Sequence, residues 1–535
     1  MIMPTLRVRS AMVLAAALLI AGAGCSGKSR PHRRNAPGLI VTGTIVTMDG
    51  RLGVVRGGRV VIAQGKVSAV LRPREPLPAA ARGFASVRAE GFVFPGLVNV
   101  HNHLAFNALP PWRVPLVDGR PLHSASDWRF GGGPYDGVHA QYVKLVRGPK
   151  DALMEGGLEA EVGKWAELRE LAAGTTTTDG SFGFGVFGGS HDHSGFEPLL
   201  VRNLDLEDPR IREGRPGIYA GTQLDVDLLA GSLEAAENRR LDALLVHLSE
   251  GTSAAARSEL HDLNNFERGP GGRCGPLMRT AVIVHGTAYR AREFSLLARC
   301  GADLVVSPLA NLLFYGRAPD VPAAIRAGVR VSLSTDWSVV GSRNLLEELK
   351  VADFLNRHLW RRALTDRQLV ELVTRNPART IGWQGRVGTI APGAAGDLLV
   401  LRSSRRDPYR ALVDATERDV RLVTVGGDPL FGDTALMKRL KRGDYEQVAG
   451  CSFTKAVDVT ASAVPKGGEK LGEMKNALAR GLRAVGVQAG EPSPLFTCLD
   501  RAHFRALADS RALAYYHPAL RGLARYVQSF YAQPG

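Results

Sequence analysis

The sequence predicts an α/β fold: a (β/α)8 TIM barrel with a small β-sandwich domain built from segments on both sides of the barrel. Three observations predict it. Short apolar strands alternate with helical patterns through residues 95–385, which is typical of a parallel sheet. That segment, about 290 residues long, has a natural length for an eight-stranded barrel with insertions. Residues 38–94 and 386–428, which flank it, are instead rich in short β-type runs.

Length and composition restrict the class of protein. The 535-residue chain is 45% hydrophobic and 22% charged, which excludes a disordered or fibrous protein and favours two or three domains. The net charge of +16 alone does not distinguish a nucleic-acid partner from a membrane surface or an acidic substrate. Most of the excess lies in residues 1–37 and 429–535, and no nucleic-acid-binding motif accompanies it, so we expect no nucleic-acid partner.

The N-terminus predicts export. Residues 1–24 have a basic start, an apolar core at Met12–Ile20 and a small-residue end, the pattern of a signal peptide. Cys25 stands where bacterial lipoprotein signals place the acylated cysteine; the alternative is a plain cleaved signal. We therefore expect a lipid anchor at Cys25 and a location in the cell envelope, at the outer membrane or the periplasmic face. Residues 25–37 are polar and basic, which predicts a flexible tether.

Each predicted element follows from local pattern. The first β part contains three apolar runs separated by glycine and aspartate turns, at Leu39–Val46, Arg59–Ile62 and Val67–Leu71. Strands of the parallel sheet are predicted at Val93–Val100, Thr175–Thr178, Leu199–Leu204, Ala243–Leu248, Ala281–Val284, Asp303–Val306 and Val329–Leu333. The second β part has runs at Gly385–Ile390, Asp397–Leu401 and Arg421–Val425. Residues 429–535 form a less patterned C-terminal extension, with helical character at Lys470–Val485.

The first barrel strand ends in a histidine pair. The segment Pro95–His103 is apolar and finishes with His101 and His103. Residues two apart on a strand point the same way, so both imidazoles can bind one metal ion. Taken alone, the pair is equally well explained as two surface histidines.

Three further predicted strands also end in groups suited to metal binding or proton transfer. His247, followed by Glu250, ends one of them, His285 ends the next, and Asp336 follows the last. Barrel enzymes carry their chemistry at the carboxyl ends of the strands. Four strand ends with such groups therefore predict a metal-dependent active site, in which a divalent ion activates a water for attack.

Several segments together resemble the amidohydrolase superfamily. The resemblance covers about Gly38–Asp428 and is best to the mononuclear deaminase and chlorohydrolase-like branch. It is carried by FPGLVNVHNH (Phe94–His103), VHLSEG (Val246–Gly251), VIVHGT (Val282–Thr287), SPLANLLFYG (Ser307–Gly316) and VSLSTDW (Val331–Trp337).

This resemblance implies an enzyme and a set of roles. It implies that the metal ligands are His101, His103, His247 and Asp336, and that the catalytic residues are Glu250, His285 and Asp336. Three neutral imidazoles and one carboxylate suit one divalent ion, with zinc favoured and iron(II) as the alternative. The expected activity is hydrolysis of non-peptide carbon–nitrogen bonds in a small, cyclic amide or amidine. Deamination of a nucleobase-like or triazine-like heterocycle is the alternative, and a catalytically silent surface-anchored binding protein is the third hypothesis.

The lysine distribution bears on the metal count. Binuclear members of the family often use a carboxylated lysine, yet no lysine occurs between Lys164 and Lys350. We therefore expect one ion per chain, although a second ion bridged by the carboxylate of Asp225 or Asp227 is an open alternative.

Substrate contacts are predicted at Trp112, Tyr315 and Trp337, with packing of the long loop onto the barrel as the alternative for Trp112.

Other motifs carry less weight. Gly183–Gly188 matches GxGxxG but lacks a following helix, which disfavours a dinucleotide site, and His191 and His193 stand in a glycine-rich loop. Arg343 is either a binder of an acidic group or an ordinary surface residue. Homo-oligomerisation is left open.

Four cysteines lie beyond Cys25, namely Cys274, Cys300, Cys451 and Cys498. They allow three full disulfide pairings, and the sequence does not distinguish among them.

Overall fold

The computed structural model describes most of the chain after residue 37. The described residues are 38–179, 200–204, 217–222, 233–234, 236–239, 241–266, 274–441, 443, 445–460, 470–487 and 490–532. Among them, no helix combines the length and the apolar character needed to cross a bilayer. Several predictions fall outside these residues, namely the signal peptide, the tether, Cys25, Gly183–Gly188, His191, His193, Asp225 and Asp227.

Nine strands form one sheet, in the order β16-β17-β15-β14-β13-β4-β1-β2-β3. Their bounds are β1 (Leu39–Val46), β2 (Val54–Ala63), β3 (Lys66–Leu71), β4 (Ala85–Pro95), β13 (Leu398–Arg402), β14 (Val420–Val425), β15 (Asp428–Asp433), β16 (Glu446–Ala449) and β17 (Thr454–Val457). The two β-rich parts of the sequence meet where β4 pairs antiparallel with β13, with Pro95 opposite Leu398. The boundary predicted after residue 428 is wrong, since β15 continues across it to Asp433. The sequence did not show this because Pro429 and Gly432 are unfavourable in strands.

In the described part of the chain, eight further strands, β5 to β12, come between β4 and β13 in the sequence, and neighbouring strands within each of their sheets are parallel. One three-stranded sheet has the order β5-β6-β7, and a five-stranded sheet has the order β12-β11-β10-β9-β8. Their bounds are β5 (Leu97–Asn99), β6 (Thr175–Thr178), β7 (Arg202–Asn203), β8 (Gly217–Thr222), β9 (Leu241–Leu248), β10 (Ala281–His285), β11 (Asp303–Val306) and β12 (Val331–Leu333). A parallel bridge between Asn102 and Asp336 connects the segments that follow β5 and β12. The predicted α/β class is confirmed, whereas the ladders of the described residues do not close the eight strands into a barrel.

Helices occupy the connections and the C-terminal segment. Asn344, for example, begins a helix because its side chain accepts a hydrogen bond from the Glu347 amide, and another helix stops before Gly301, which adopts a left-handed φ of 73°. The helices are α1 (Ala125–Arg129), α2 (Asp136–Tyr142), α3 (Gly148–Glu155), α4 (Glu159–Ala172), α5 (Ala254–Phe266), α6 (Pro276–Thr280), α7 (Ala291–Cys300), α8 (Pro308–Tyr315), α9 (Val321–Arg326), α10 (Leu345–His358), α11 (Asp366–Glu371), α12 (Arg375–Thr380), α13 (Pro408–Asp414), α14 (Thr434–Lys441), α15 (Leu471–Ala484), α16 (Arg501–Asp509) and α17 (Leu523–Tyr531).

The largest apolar core includes the C-terminal segment. Leu482, Phe496, Leu507 and Val527 are buried in the same cluster as residues of the parallel strands and of α4 and α10. α15 packs on α4, and α17 packs on α10. The segment after residue 429 is therefore an integral layer of the fold.

Two disulfides join cysteines that are distant in sequence. Cys274 pairs with Cys300 across a Cα–Cα distance of 5.3 Å, and Cys451 pairs with Cys498 across 6.2 Å. The second bond lies wholly within the C-terminal segment. The structure thus selects one of the three pairings that the sequence left open.

Candidate active site

The predicted ligands of the first and last parallel strands lie side by side. His101 and His103 follow β5, and Asp336 follows β12. The His103 amide donates to the Asp336 carbonyl at 2.6 Å, and the Asp336 amide donates to the His101 carbonyl at 3.1 Å. Asp336 Oδ1 lies 3.3 Å from His101 Nε2 and 3.5 Å from His103 Nε2. Backbone hydrogen bonds between the two strand ends therefore hold these three side chains together.

His247 and His285 complete a cluster of four imidazoles. His247 lies in β9 and His285 at the end of β10. The His247 ring centroid is 4.7 Å from that of His101 and 5.4 Å from that of His103, against which it stacks. Two sets have ligand atoms that all lie within 4.8 Å of one another: His101 with His247 and His285, and His101 with His103 and Asp336. His101 is common to both, and together the two sets contain the four predicted ligands and His285.

The charge states of these groups fit a cation. Burial, followed by the charge of Arg129, lowers the pKa of His101 to about 3, so its imidazole is neutral. Its Nε2 is buried and has no hydrogen-bond partner among the described residues. Burial also raises the pKa of Asp336 to about 8, a cost that a bound cation would offset. Neutral imidazoles and one carboxylate are the ligands that zinc and related divalent ions take.

Glu250 lies beside this cluster, in the segment that follows β9. Its Oε1 accepts a hydrogen bond from the Tyr315 hydroxyl at 2.8 Å, and its Oε2 is 3.2 Å from Arg129 Nη2. The same Oε2 is 3.6 Å from His285 Nε2. Burial raises the pKa of Glu250, while Arg129 and the Tyr315 hydroxyl act in the opposite direction. A carboxyl group balanced in this way can both accept and release a proton.

Asn311 sets the tautomer of His285. Its Nδ2, which can only donate, lies 3.2 Å from His285 Nδ1. With this orientation of the Asn311 amide, Nδ1 is the acceptor and the ring proton lies on Nε2, on the side of Glu250. This arrangement fits a hydrogen-bond donor to substrate better than a fifth metal ligand.

The backbone turns sharply at the strand ends that carry the site. His285 has a φ of 78°, Asp336 of 62° and Ser249 of 57°, all in the left-handed region that non-glycine residues rarely adopt. Such conformations cost about 1–3 kcal/mol each and persist where surrounding contacts hold them. Side chains along a regular strand point alternately to its two faces, whereas these turns bring the site side chains together in one cluster.

The three predicted substrate contacts lie in different surroundings. The Trp337 ring lies 6.3 Å from that of His103, so it borders the cluster. Tyr315 is buried, and its hydroxyl is occupied by Glu250 and by Trp128 Nε1, which donates to it at 3.1 Å. Trp112 packs on Tyr142 and Phe314, with ring centroids 5.9 Å away in both cases. The loop-packing alternative therefore describes Trp112 better than a substrate contact does.

Sequence reasoning missed two charged residues of the site and misjudged a third. Asp179 directly follows β6, and its Oδ2 lies 3.9 Å from His101 Nδ1; the strand-end rule that selected the ligands would have found it. Arg129 comes from α1, within a long loop that carries no pattern pointing to it. Arg343 is not a surface residue, because it is 3% exposed and pairs with Asp500 of the C-terminal segment.

The sequence relatives of the chain agree with this geometry. Residues 197–430 match the family model described as Amidohydrolase family. The chain is 28% identical over 435 residues to a 5-methylthioadenosine/S-adenosylhomocysteine deaminase from Nitratidesulfovibrio vulgaris, covering 76% of this chain and 94% of that protein. This match and these relatives support the resemblance to the amidohydrolase superfamily. An imidazolonepropionase from Salinispora arenicola is 26% identical over 66% of this chain and 88% of its own length.

Solved structures with the same fold include two zinc-containing enzymes. An adenosine deaminase from Xanthomonas campestris with bound zinc has a TM-score of 0.55 at 19% identity, covering 76% of this chain and 97% of that one. A mutant atrazine chlorohydrolase from Arthrobacter aurescens, complexed with zinc and atraton, has a TM-score of 0.54 at 18% identity, covering 73% and 95%. At such identities the likeness concerns the fold.

The family match and the deaminase relatives confirm the predicted enzyme class. The protein is a hydrolase that acts on carbon–nitrogen bonds of a small-molecule substrate, and a divalent metal is its cofactor. The hypothesis of a silent binding module is thereby set aside.

Proposed function

We propose that this amidohydrolase is a mononuclear zinc deaminase, which replaces an amino group on a nucleobase-like heterocycle by oxygen. The observation that carries the proposal is the position of Glu250, whose Oε2 lies 3.6 Å from His285 Nε2 beside the four-ligand cluster. Deamination of a ring amidine needs a proton carrier beside the metal, since a ring nitrogen is protonated as water adds to the carbon. Relatives named as 5-methylthioadenosine/S-adenosylhomocysteine deaminases support this substrate class.

Each residue of the chain has a distinct task in this mechanism. A divalent ion held by His101, His103, His247 and Asp336 would supply Lewis-acid activation of a water. The Asp336 carboxylate accepts one proton of the attacking water, while Glu250 delivers its own proton to the ring nitrogen. The proton held by Asp336 then leaves with the departing amine, and Glu250 regains a proton from the hydroxyl group that was added to the substrate carbon. The Nε2–H of His285 donates a hydrogen bond to the oxygen that is forming on the substrate. Tyr315 and Arg129 keep the Glu250 carboxyl aimed at the cluster.

A single zinc ion per chain is the expected metal content. The proposal is supported by the absence of lysine between Lys164 and Lys350 and by the histidine-rich donor set. The decisive experiment measures metal content and activity on one sample, with ammonia release assayed on adenine nucleosides, pyrimidines, triazines and hydantoins. We expect about one equivalent of zinc and ammonia release from one class of amino-heterocycle. Two equivalents in fully active protein, or iron in place of zinc, would contradict the metal assignment.

Hydrolysis of a cyclic amide is the second candidate, favoured by the imidazolonepropionase relative. The same cluster can serve it, because water addition to a ring carbonyl also needs a Lewis acid and a proton carrier. The panel separates the two, since ring opening consumes a hydantoin-type substrate without release of ammonia. That outcome would replace the deaminase proposal.

The barrel and the anchor complete the proposal. We infer a closed (β/α)8 barrel from eight parallel strands whose first and last are bridged at Asn102 and Asp336. An experimental structure with an open gap between β7 and β8 would contradict it.

We also infer a lipoprotein anchored in the cell envelope at Cys25, supported by the signal-like sequence before it. Detergent-phase partitioning of the wild type, lost in Cys25→Ser, is the expected result.

A further inference from the structure

A buried ionic cluster joins the C-terminal segment to the helix that follows the site. Arg343 Nε lies 2.9 Å from Asp500 Oδ2, and the two side chains are 1% and 2% exposed. Beside this pair, His503 Nε2 lies 2.6 Å from Glu347 Oε1, and both of these side chains are also buried. Asp500 further caps α16, because its Oδ1 accepts from the His503 amide at 2.9 Å. Four charged or titratable groups thus meet without solvent where α10 contacts the C-terminal segment.

Arg343 also holds the loop that contains Asp336. Its Nη1 donates to the carbonyl of Ser338, two residues after Asp336. The Ser338 amide donates to Asn107 Oδ1 at 2.8 Å, and Asn107 Nδ2 donates to Asn102 Oδ1 at 2.8 Å. Asn102 lies between the two histidines that follow β5. A continuous hydrogen-bonded path therefore runs from Arg343 to both strand ends that supply metal ligands.

The electrostatics of this path require Asp500. Arg169 Nη1 donates to Ser338 Oγ at 2.9 Å, so two buried guanidinium groups converge on one serine. Burial, and after it the repulsion from Arg343, lowers the pKa of Arg169 to about 10. Although burial opposes it, Arg343 and His503 hold the pKa of Asp500 below its ordinary value, so the carboxylate is charged. Without it, Arg343 would lose its ion-pair partner in a buried place where a second cation, Arg169, is close.

We propose that Asp500 is a positioning residue of the metal site, which acts by holding Arg343 and, through Ser338, the strand end that bears Asp336. The C-terminal segment then supports the metal site, although none of its described residues belongs to the ligand sets. The inference rests on the proposed function, because the position of Asp336 matters in this way only if Asp336 binds the metal. If the ion pair had a purely structural role, its loss would lower the free energy of unfolding but would leave the metal affinity of the folded protein unchanged.

The test compares zinc affinity in the full-length protein. Asp500→Asn removes the charge at nearly constant shape, and Asp509→Asn is the matched control on α16, where Asp509 forms an exposed ion pair with Arg113. Zinc affinity of each purified apo-protein is measured by competition with a chromophoric chelator, alongside thermal unfolding with and without zinc. We expect Asp500→Asn to weaken zinc binding by about 10- to 100-fold, as loss of groups that orient metal ligands does. Asp509→Asn should bind zinc as the wild type does.

A second variant covers the case in which Asp500→Asn does not fold. Arg343→Lys keeps the charge balance and can keep the pair with Asp500, but a single ammonium cannot bridge both Asp500 and Ser338. We expect it to fold and to bind zinc at least severalfold more weakly. Wild-type zinc affinity in the folded variant would overturn the positioning role while leaving the proposed function intact. A wild-type protein that binds no zinc or other divalent ion would overturn both.

Discussion

Asp336 performs three tasks at one position of the chain. Its backbone adopts a left-handed conformation, its amide and carbonyl bind the residues that carry the first two histidines, and its carboxylate faces both of their imidazoles. An alanine there keeps the backbone groups but leaves a cluster of neutral histidines without an anionic ligand. Glu250, by contrast, lies beside the cluster at His285, with its Oε2 3.6 Å from His285 Nε2.

These positions give a matched pair of predictions. Asp336→Ala should lose both bound metal and turnover, because the only predicted carboxylate ligand is removed. Glu250→Gln should retain the metal but lower kcat by about 10²- to 10⁴-fold, the usual contribution of a positioned acid–base group. Metal analysis and steady-state kinetics on both variants check this. Wild-type turnover in Asp336→Ala, or loss of metal in Glu250→Gln, would refute the assignment of roles.

At the scale of elements, the short helix α1 is docked directly onto the segment that follows β9. Ser124, which caps α1, forms an antiparallel bridge with Gly251, and the Ala125 amide donates to the Glu250 carbonyl at 3.0 Å. The Thr252 amide donates to the His123 carbonyl at 2.8 Å. This contact places the Arg129 end of α1 against the Glu250 side chain.

Gly251 is the residue that permits this docking. It has a φ of 145°, and a Cβ there would lie 2.3 Å from the His123 carbonyl oxygen. Gly251→Ala should therefore lower the free energy of unfolding by about 1–3 kcal/mol and reduce kcat/KM, because α1 must move away from Glu250. Gly83→Ala, in a position with no atom within 4 Å, is the control. Unchanged kinetics in a folded Gly251→Ala variant would show that the docking has no part in catalysis.

Helix α4 contributes a buried carboxyl group beneath the site. Glu170 Oε1 accepts from Asn102 Nδ2 at 3.0 Å and from Asn99 Nδ2 at 3.3 Å. Burial raises the pKa of this group from 4.5 to about 7. Because its folded pKa lies above its unfolded one, its contribution to stability is complete below pH 4.5 and is lost as the pH rises to about 7.

A glutamine at this position should remove that pH dependence. Glu170→Gln cannot ionise, so its free energy of unfolding relative to wild type should rise between pH 4.5 and about 7 and then level off. The total change should approach about 3 kcal/mol, from the size of the pKa shift. Denaturant unfolding of both proteins across this range measures it. A stability difference that does not vary with pH would mean that Glu170 does not titrate in this range.

Several strand positions, and the strand ends that carry the candidate site, were predictable from the sequence because both depend on short patterns; β8 was not predicted, and the predicted run at Gly385–Ile390 is not a strand. β9, β10 and β11 coincide closely with apolar runs, and the residues at their ends follow from the rule that parallel strands present their carboxyl ends together. Arg129 and Asp500 were not predictable. Each acts through a partner more than one hundred residues away, and neither stands in a periodic segment.

At the scale of the whole molecule, the disulfide between Cys451 and Cys498 restrains the C-terminal segment. It spans 47 residues of sequence. Closing a loop of that size restricts the unfolded chain, and the chain-entropy account gives about 4 kcal/mol of stabilisation. Cys451→Ser/Cys498→Ser should therefore lower the free energy of unfolding by a few kcal/mol. Denaturation under non-reducing conditions checks it, with reduced wild type for comparison; equal stability of the double variant and the oxidised wild type would contradict it.

The ion pair between Arg343 and Asp500 has a consequence for the order of events during biosynthesis. Every predicted metal ligand, from His101 to Asp336, is translated well before Asp500. Before Asp500 is translated, Arg343 lacks its ion-pair partner while it shares Ser338, beside Asp336, with Arg169. If Asp500 positions the metal site as proposed, a nascent chain that already contains all the predicted ligands should bind the metal poorly, and metal binding should be a late step of maturation.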